Sequence, residues 1–196
     1  MDARLVNEEN ADLISRMHMP FVRMAFDYVG IRPWVEKAIR CLKEHGIKGK
    51  RIIFYVLYNY VDSPDDFLGR VRDLLSWGVV AYPMRYEPLT TLEKNRYISP
   101  KWTAEQLEMV ARARRVLGFG GALPPYKALV QKFADASSFE EAFAVRPVKT
   151  KWDVPEPIVQ MALEHEQQAS LNKTYFPNWR REKDWRQIPA TSSPGK

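Results

Sequence analysis

Arg51-Ile52-Ile53-Phe54-Tyr55-Val56-Leu57-Tyr58-Asn59-Tyr60, followed by Ser63-Pro64-Asp65-Asp66, decides the fold of this 196-residue chain. Residues 52 to 60 are an almost unbroken apolar run of strand length, as expected for a strand covered on both faces. The next stretch is a helix start. Ser63 offers a hydroxyl cap, Pro64 suits the first helical position, and two carboxylates lie at the positive end of the helix dipole. Phe67, Val71, Leu74 and Leu75 then predict one buried stripe, and Gly78 predicts its end.

The same unit lies on either side. Apolar runs begin at Phe21, Arg51 and Val79, spaced 30 and then 28 residues apart. Phe21 to Phe26 reads as a strand ending at Asp27. Pro33 opens a helix whose Val35, Ala38, Ile39 and Leu42 share one face, and Gly46 is placed to end it in the left-handed conformation. Val79 to Met84 is the third strand. Pro83 removes a ladder donor, so this strand is expected at a sheet edge or irregular at its carboxyl end. A helix over Glu8 to Met17, capped by Asn7, precedes the series. Such alternation predicts parallel strands with right-handed helical crossovers and ligands at the carboxyl ends of the strands.

Beyond Leu89 the pattern changes. Thr103 with Gln106 predicts a capping box for a helix to about Leu117, with Leu107, Val110, Ala111 and Leu117 on its core side. Gly118-Phe119-Gly120-Gly121 breaks that helix. It lacks the lysine of a P-loop, so it reads as a flexible turn and not as a phosphate cradle. Short helices are expected around Phe139 to Phe143 and Ile158 to Ala169, with a disordered end.

Composition excludes several classes. The hydrophobic fraction of 45% and aromatic fraction of 12% are globular values. No run reaches the roughly 18 apolar residues of a membrane span. Met1-Asp2-Ala3-Arg4 lacks a basic-then-apolar layout, so a cytoplasmic protein is expected. Cys41 is the single cysteine, which rules out an intrachain disulfide and any cysteine-only zinc or iron–sulfur site. It reads as a small semi-buried hydrophobe and not as a reactive thiol. His18, His45 and His165 are far apart without ligand spacing, so no protein-only metal site is expected.

The net charge of +6 is concentrated at one end. Residues 171 to 196 hold Lys173, Arg180, Arg181, Lys183, Arg186 and Lys196 against Glu182 and Asp184, and the rest of the chain is close to balanced. Tyr175, Phe176, Trp179 and Trp185 interleave with those bases. The segment reads either as a nucleic-acid contact or as aromatics docking onto the protein.

Taken in order, several pieces carry a family resemblance. They are Asp2-Ala3-Arg4 before a helix, Ala25-Phe26-Asp27 before a helix ending Leu42-Lys43-Glu44-His45-Gly46, Tyr55 to Tyr60 before Ser63-Pro64-Asp65-Asp66, and Tyr82-Pro83-Met84-Arg85-Tyr86. This succession, over residues 2 to 90, resembles the second half of a radical S-adenosylmethionine (SAM) enzyme core. The resemblance implies an α/β fold: a partial parallel (β/α) barrel of about three strands over 1–90, then C-terminal helices over 91–170 and the basic aromatic tail over 171–196. It implies SAM bound beside a [4Fe-4S] cluster. The family's Cys-x3-Cys-x2-Cys loop and its glycine-rich SAM segment are absent, and one cysteine cannot supply three thiolate ligands.

The expectation is therefore a truncated C-terminal part of such a core, not catalytic alone, partnered by the missing N-terminal half or a completing subunit. Asp27 falls where the family places a polar side chain near the SAM ribose or carboxylate, or else is a turn residue. Asn59 falls near the adenine, or else turns the backbone. Tyr58, beside it, departs from the small residues usual there. Tyr82, Pro83 and Met84 match the last strand, whose backbone pairs with adenine in relatives. Arg85 beside Glu87 would be a carboxylate clamp for SAM or substrate, or a barrel-mouth ion pair. A half-barrel would expose a strand edge and an apolar inner face. The alternatives are a non-catalytic α/β interaction module and nucleic-acid binding through the tail.

Overall fold

The computed structural model describes residues 1–17 and 19–145. His18, His165, the helix expected over 158–169 and the tail of 171–196 lie outside the described residues.

Three parallel strands, β1 (Val22–Ala25), β2 (Ile52–Tyr58) and β3 (Val80–Arg85), form one sheet in the order β1-β2-β3. Helix α1 (Glu8–Arg16) precedes β1, α2 (Arg32–Glu44) links β1 to β2, and α3 (Pro64–Ser76) links β2 to β3. Helices α4 (Ala104–Val116), α5 (Lys127–Asp135) and α6 (Phe139–Phe143) follow. Strands adjacent in sequence are adjacent in the sheet, and the sheet does not close. The fold is thus a partial parallel (β/α) barrel followed by helices.

Local chemistry sets the elements. Asn7, Ser63 and Thr103 each close a capping box at the start of α1, α3 and α4. Gly46 and Gly78 end α2 and α3 at φ values of 81° and 67°, a region that costs glycine little. Lys127 to Asp135 was not foreseen as a helix, although Leu129, Val130 and Phe133 carry helical spacing behind Pro124-Pro125.

Period-two alternation sorts the two faces of the sheet. Val22, Met24, Phe26, Ile52, Phe54, Val56, Tyr58, Ala81 and Pro83 are buried. Helix α3 spans this face: Trp77 at its end stacks on Phe26 with ring centroids 6.4 Å apart, and Phe67 near its start meets Tyr58 at 5.1 Å. Helix α2 lies beside it, tied by Arg32 to Asp73 at 2.6 Å. On the other face Arg23, Ala25, Ile53, Tyr55, Leu57, Tyr82 and Met84 are half-buried or exposed, and only Val80 is buried. The apolar run of β2 predicted cover on both sides. Among the described residues one side is covered, because the helical crossovers all fall there.

Strand β3 lies at an edge, as Pro83 predicts. Ala81 exchanges both of its backbone hydrogen bonds with Leu123 on the side away from β2. Two residues on, the missing amide of Pro83 points the same way, so no bond to β2 is lost. The glycine cluster makes this possible. Gly120 and Gly121 adopt positive φ, Phe119 and Ala122 bond across the turn, and the chain returns to β3.

The boundary expected at residue 90 falls inside a compact unit spanning Met1–Arg146. Trp102 contacts Tyr58 and Phe67 at centroid distances of 5.6 and 5.8 Å, and Phe143 stacks on Phe67 at 5.5 Å. The later helices therefore complete the core on the covered side of the sheet. No helix among the described residues is long and apolar enough to cross a membrane.

Removing the α3 cap with Ser63→Ala is expected to cost about 1 kcal/mol in urea unfolding. Asp66 accepts from the Ser63 amide at 3.0 Å and its hydroxyl at 2.8 Å, which holds the carboxyl below its ordinary range. A lowered folded pKa means the stabilisation is present above the unfolded value and is lost as pH falls through the folded one. The stability gap between the parent and Asp66→Asn should therefore shrink on acidification below about pH 4, and a gap constant down to pH 2 would contradict this.

Candidate functional site

The carboxyl ends of all three strands meet at one edge, where a parallel sheet binds ligands. Backbone carbonyls leaving the ladder there need new partners. Arg70 of α3 provides them. It is 1% exposed, yet its Nη1 donates to the carbonyls of Phe26 (2.9 Å), Asp27 (2.8 Å) and Leu57 (3.0 Å). Its Nε donates to Asp66 O at 3.2 Å, and its Nη2 pairs with Asp62 at 2.5 Å. One guanidinium thus ties the ends of β1 and β2 to α3.

Burial acts against both charges of this pair. It pushes the Asp62 carboxyl up, opposed by the Tyr60 amide and by Arg70, and it pulls the Arg70 guanidinium down, opposed by Asp62 and Asp27. Asp62 is held from both sides: its carboxylate accepts from Tyr60 N at 3.0 Å, and its carbonyl accepts from Trp102 Nε1 at 2.9 Å. A guanidinium does not lose its proton in a protein, so the pair is ionic and fixed by its hydrogen bonds.

Asn59 follows β2 with φ +67° and is fully buried. Its Nδ2 donates to Tyr97 O (3.0 Å) and Tyr86 O (3.3 Å), and its Oδ1 accepts from Ser99 N at 2.8 Å. The side chain turns the backbone and braces the loop that follows β3. Arg85 does similar work from β3. Its Nη2 donates to Tyr97 O at 2.8 Å and Asn95 O at 3.2 Å, and its Nε lies 3.8 Å from Glu87 without a hydrogen-bond partner among the described residues. Glu87 in turn accepts from Asn95 N at 2.6 Å. Both Asn59 and Arg85 are engaged with loop 86–99, on which Tyr86 packs against Tyr60 and Tyr97.

Asp27 differs from these two. Its carbonyl belongs to Arg70, but its side chain is at the surface. The surrounding protein pushes the Asp27 carboxyl up, opposed by the Arg70 charge and the Leu57 backbone. Together with Ala25, Tyr28, Ile31 and residues 1–4 it lines a concavity of about 360 Å³. Tyr82 and Met84 stand on the uncovered face of β3. Tyr82 meets Tyr55 edge-on at 5.3 Å, and the Arg114 guanidinium lies 5.0 Å over its ring. Met84 is paired in register with Leu57 and is 42% exposed.

The edge therefore carries one surface carboxylate, Asp27, beside a face of half-exposed Tyr55, Leu57, Tyr82 and Met84. Sequence reasoning missed Arg70, Asp62, Ser99 and Arg114. A signal existed for Arg70, which stands three residues after Phe67 and inside the apolar stripe of α3, where a solvated arginine does not belong.

Compared with known protein families, characterised proteins and solved structures, the chain matches none.

Arg70→Met is expected to destabilise the protein by about 3–5 kcal/mol, because it strands Asp62 and three carbonyls away from water. Combining it with Asp62→Leu should recover part of that loss. A double-mutant cycle in urea with no coupling between the two positions would show that the pair is not the clamp.

Proposed function

We propose that this chain is the SAM-binding, C-terminal part of a radical SAM-type core. The observation that carries this reading is the one-sided sheet. A parallel β/α sheet in simple sequential order, with helices on one face alone among the described residues, has the cover of a barrel segment, and its other face corresponds to a barrel interior. That face carries Tyr82 and Met84, and Asp27 stands at the carboxyl end of β1. These are three of the positions that the sequence resemblance assigns to SAM.

The chemistry suits the ligand. A surface carboxylate can accept from both hydroxyls of a ribose, and half-exposed tyrosine and methionine side chains offer apolar and polarisable contact to a planar base. Asn59 and Arg85 would act at one remove, by holding loop 86–99 beside the site. The [4Fe-4S] cluster does not fit this chain. A single cysteine cannot hold it, so no step through the cluster is derived, and its ligands would come from another polypeptide segment that completes the barrel. A cytoplasmic location belongs to the same proposal, since a chain with one cysteine suits a reducing compartment.

Calorimetric titration of the full chain with SAM tests the reading. Binding is expected, with Asp27→Ala weakening it about ten- to hundredfold, the range for a charge-assisted hydrogen bond. Anaerobic iron–sulfur reconstitution should leave the chain without a stoichiometric cluster. Absence of SAM binding by a folded chain would leave the non-catalytic interaction module as the better account.

A further inference from the structure

Helices α1 and α2 bring three metal-ligating side chains together away from the sheet edge. Glu8 is the first residue of α1, His45 caps the C-terminus of α2, and Cys41 stands one turn before it. Cys41 Sγ is 3.5 Å from Glu8 Oε1, and His45 Nε2 is 3.5 Å from Glu8 Oε2. One ligand atom from each residue lies within 4.8 Å of the other two. A tetrahedral zinc ion, with bonds of about 2.3 Å to sulfur and about 2.0–2.2 Å to nitrogen and oxygen, sets ligand–ligand edges of roughly 3.3–3.6 Å. Each Glu8 oxygen already stands at that distance from one of the other two ligands, Oε1 from Cys41 Sγ and Oε2 from His45 Nε2, and a small turn of the carboxylate brings a single oxygen toward both.

The histidine is also oriented for ligation. His45 Nδ1 lies 2.9 Å from Cys41 O. A carbonyl only accepts, so Nδ1 carries the proton, and in the neutral ring the lone pair is on Nε2, which faces Glu8. Metal-bound histidines are held by this kind of backbone contact. The negative end of the α2 dipole and Glu44 next to His45 favour a cation there, and the Glu8 carboxylate faces the positive end of the α1 dipole that the same site includes. Cys41 is 4% exposed and the Glu8 side chain 77%, so the set is closed on the protein side and open to a solvent ligand on the other.

We propose that Glu8, Cys41 and His45 form a thiolate–imidazole–carboxylate site for a divalent zinc-type ion, with solvent in the fourth position, that clamps α1 to α2. Binding releases the Cys41 thiol proton to solvent as the sulfur–metal bond forms. The histidine spacing alone predicted no such site. Its signal is the four-residue step from Cys41 to His45 on one helical face, and Glu8 reaches it only through the packing of α1.

The full chain titrated with Co²⁺ tests the proposal, since any thiolate-to-metal charge-transfer band must come from the single cysteine. A band saturating at one ion per chain and displaced by Zn²⁺ is expected. Cys41→Ser should abolish it, while His45→Gln and Glu8→Gln should each weaken binding at least tenfold with an unchanged far-ultraviolet dichroism spectrum. The two latter variants carry the test if Cys41→Ser fails to fold. No charge-transfer band in the folded parent, or parent-level affinity in both His45→Gln and Glu8→Gln, would overturn the site.

Discussion

The guanidinium of Arg70 is the constraint on which the rest of the structure depends. A parallel sheet ends with carbonyls that have lost their ladder partners, and those of Phe26, Asp27 and Leu57 converge under α3. Water is excluded there, so an unpaired carbonyl would carry its full desolvation penalty. Its Nη1 answers all three, while Nε and Nη2 reach Asp66 O and Asp62 at the same time, a spread of donors that lysine's single ammonium cannot match. Asp62 balances the charge. With α3 fixed in this way, Phe67 is set against Tyr58, Trp102 and Phe143. Arg72, on the same helix, bonds the carbonyls of Phe133 and Ala136 at the end of α5. The position of the C-terminal helices thus descends from one buried cation.

The same logic continues along the edge. Asn59 and Arg85 are polar residues at strand ends, where a ligand would be expected, yet their hydrogen bonds run to loop 86–99. Ser99 donates its hydroxyl to Tyr60 O, which ties the far end of that loop to the residue after Asn59. The result is a rim held by side chains from the ends of β2 and β3. Under the proposed function, residues so engaged define the shape of the site without touching what enters it. Asp27 differs from both, because its side chain is left at the surface.

Much of the fold was legible because it rests on local rules. The apolar run of β2, the Ser63 and Thr103 capping boxes, the glycine stops at Gly46 and Gly78 and the edge placement forced by Pro83 all follow from spacing within a few residues. What was not legible rests on packing between distant segments. Arg70 looks like a surface residue until β1 and β2 converge on it. Leu123 bridges Ala81 only because a glycine turn reverses the chain, and the reading of that turn as flexible gave no hint of what it delivers. Trp102, Phe133, Phe139 and Phe143 likewise look like a separate apolar set in the sequence, yet Trp102 meets Tyr58 and Phe67, Phe143 stacks on Phe67, and Phe133 and Phe139 pack behind them. Strand-end position put Asp27, Tyr82 and Met84 at the carboxyl edge of the sheet, while the engagement of Asn59 and Arg85 depends on a loop whose path no periodicity encodes.

The uncovered face is the feature that this architecture handles least conventionally. An all-aliphatic face would expose a contiguous apolar patch and invite aggregation. Here Arg23, Tyr55 and Tyr82 interrupt it, and Arg114 lies over the Tyr82 ring. Tyrosine presents an apolar body with a polar tip, so it tolerates water and can still be covered. The outer edge of β3 is blunted by the Leu123 bridge and by Pro83, which offers no donor to a further strand. A half-barrel can therefore persist in water without its inner face being converted into ordinary surface. Under the proposed function that compromise is required, because the same tyrosines must accept solvent in the separate chain and a ligand and a completing segment when the barrel is closed.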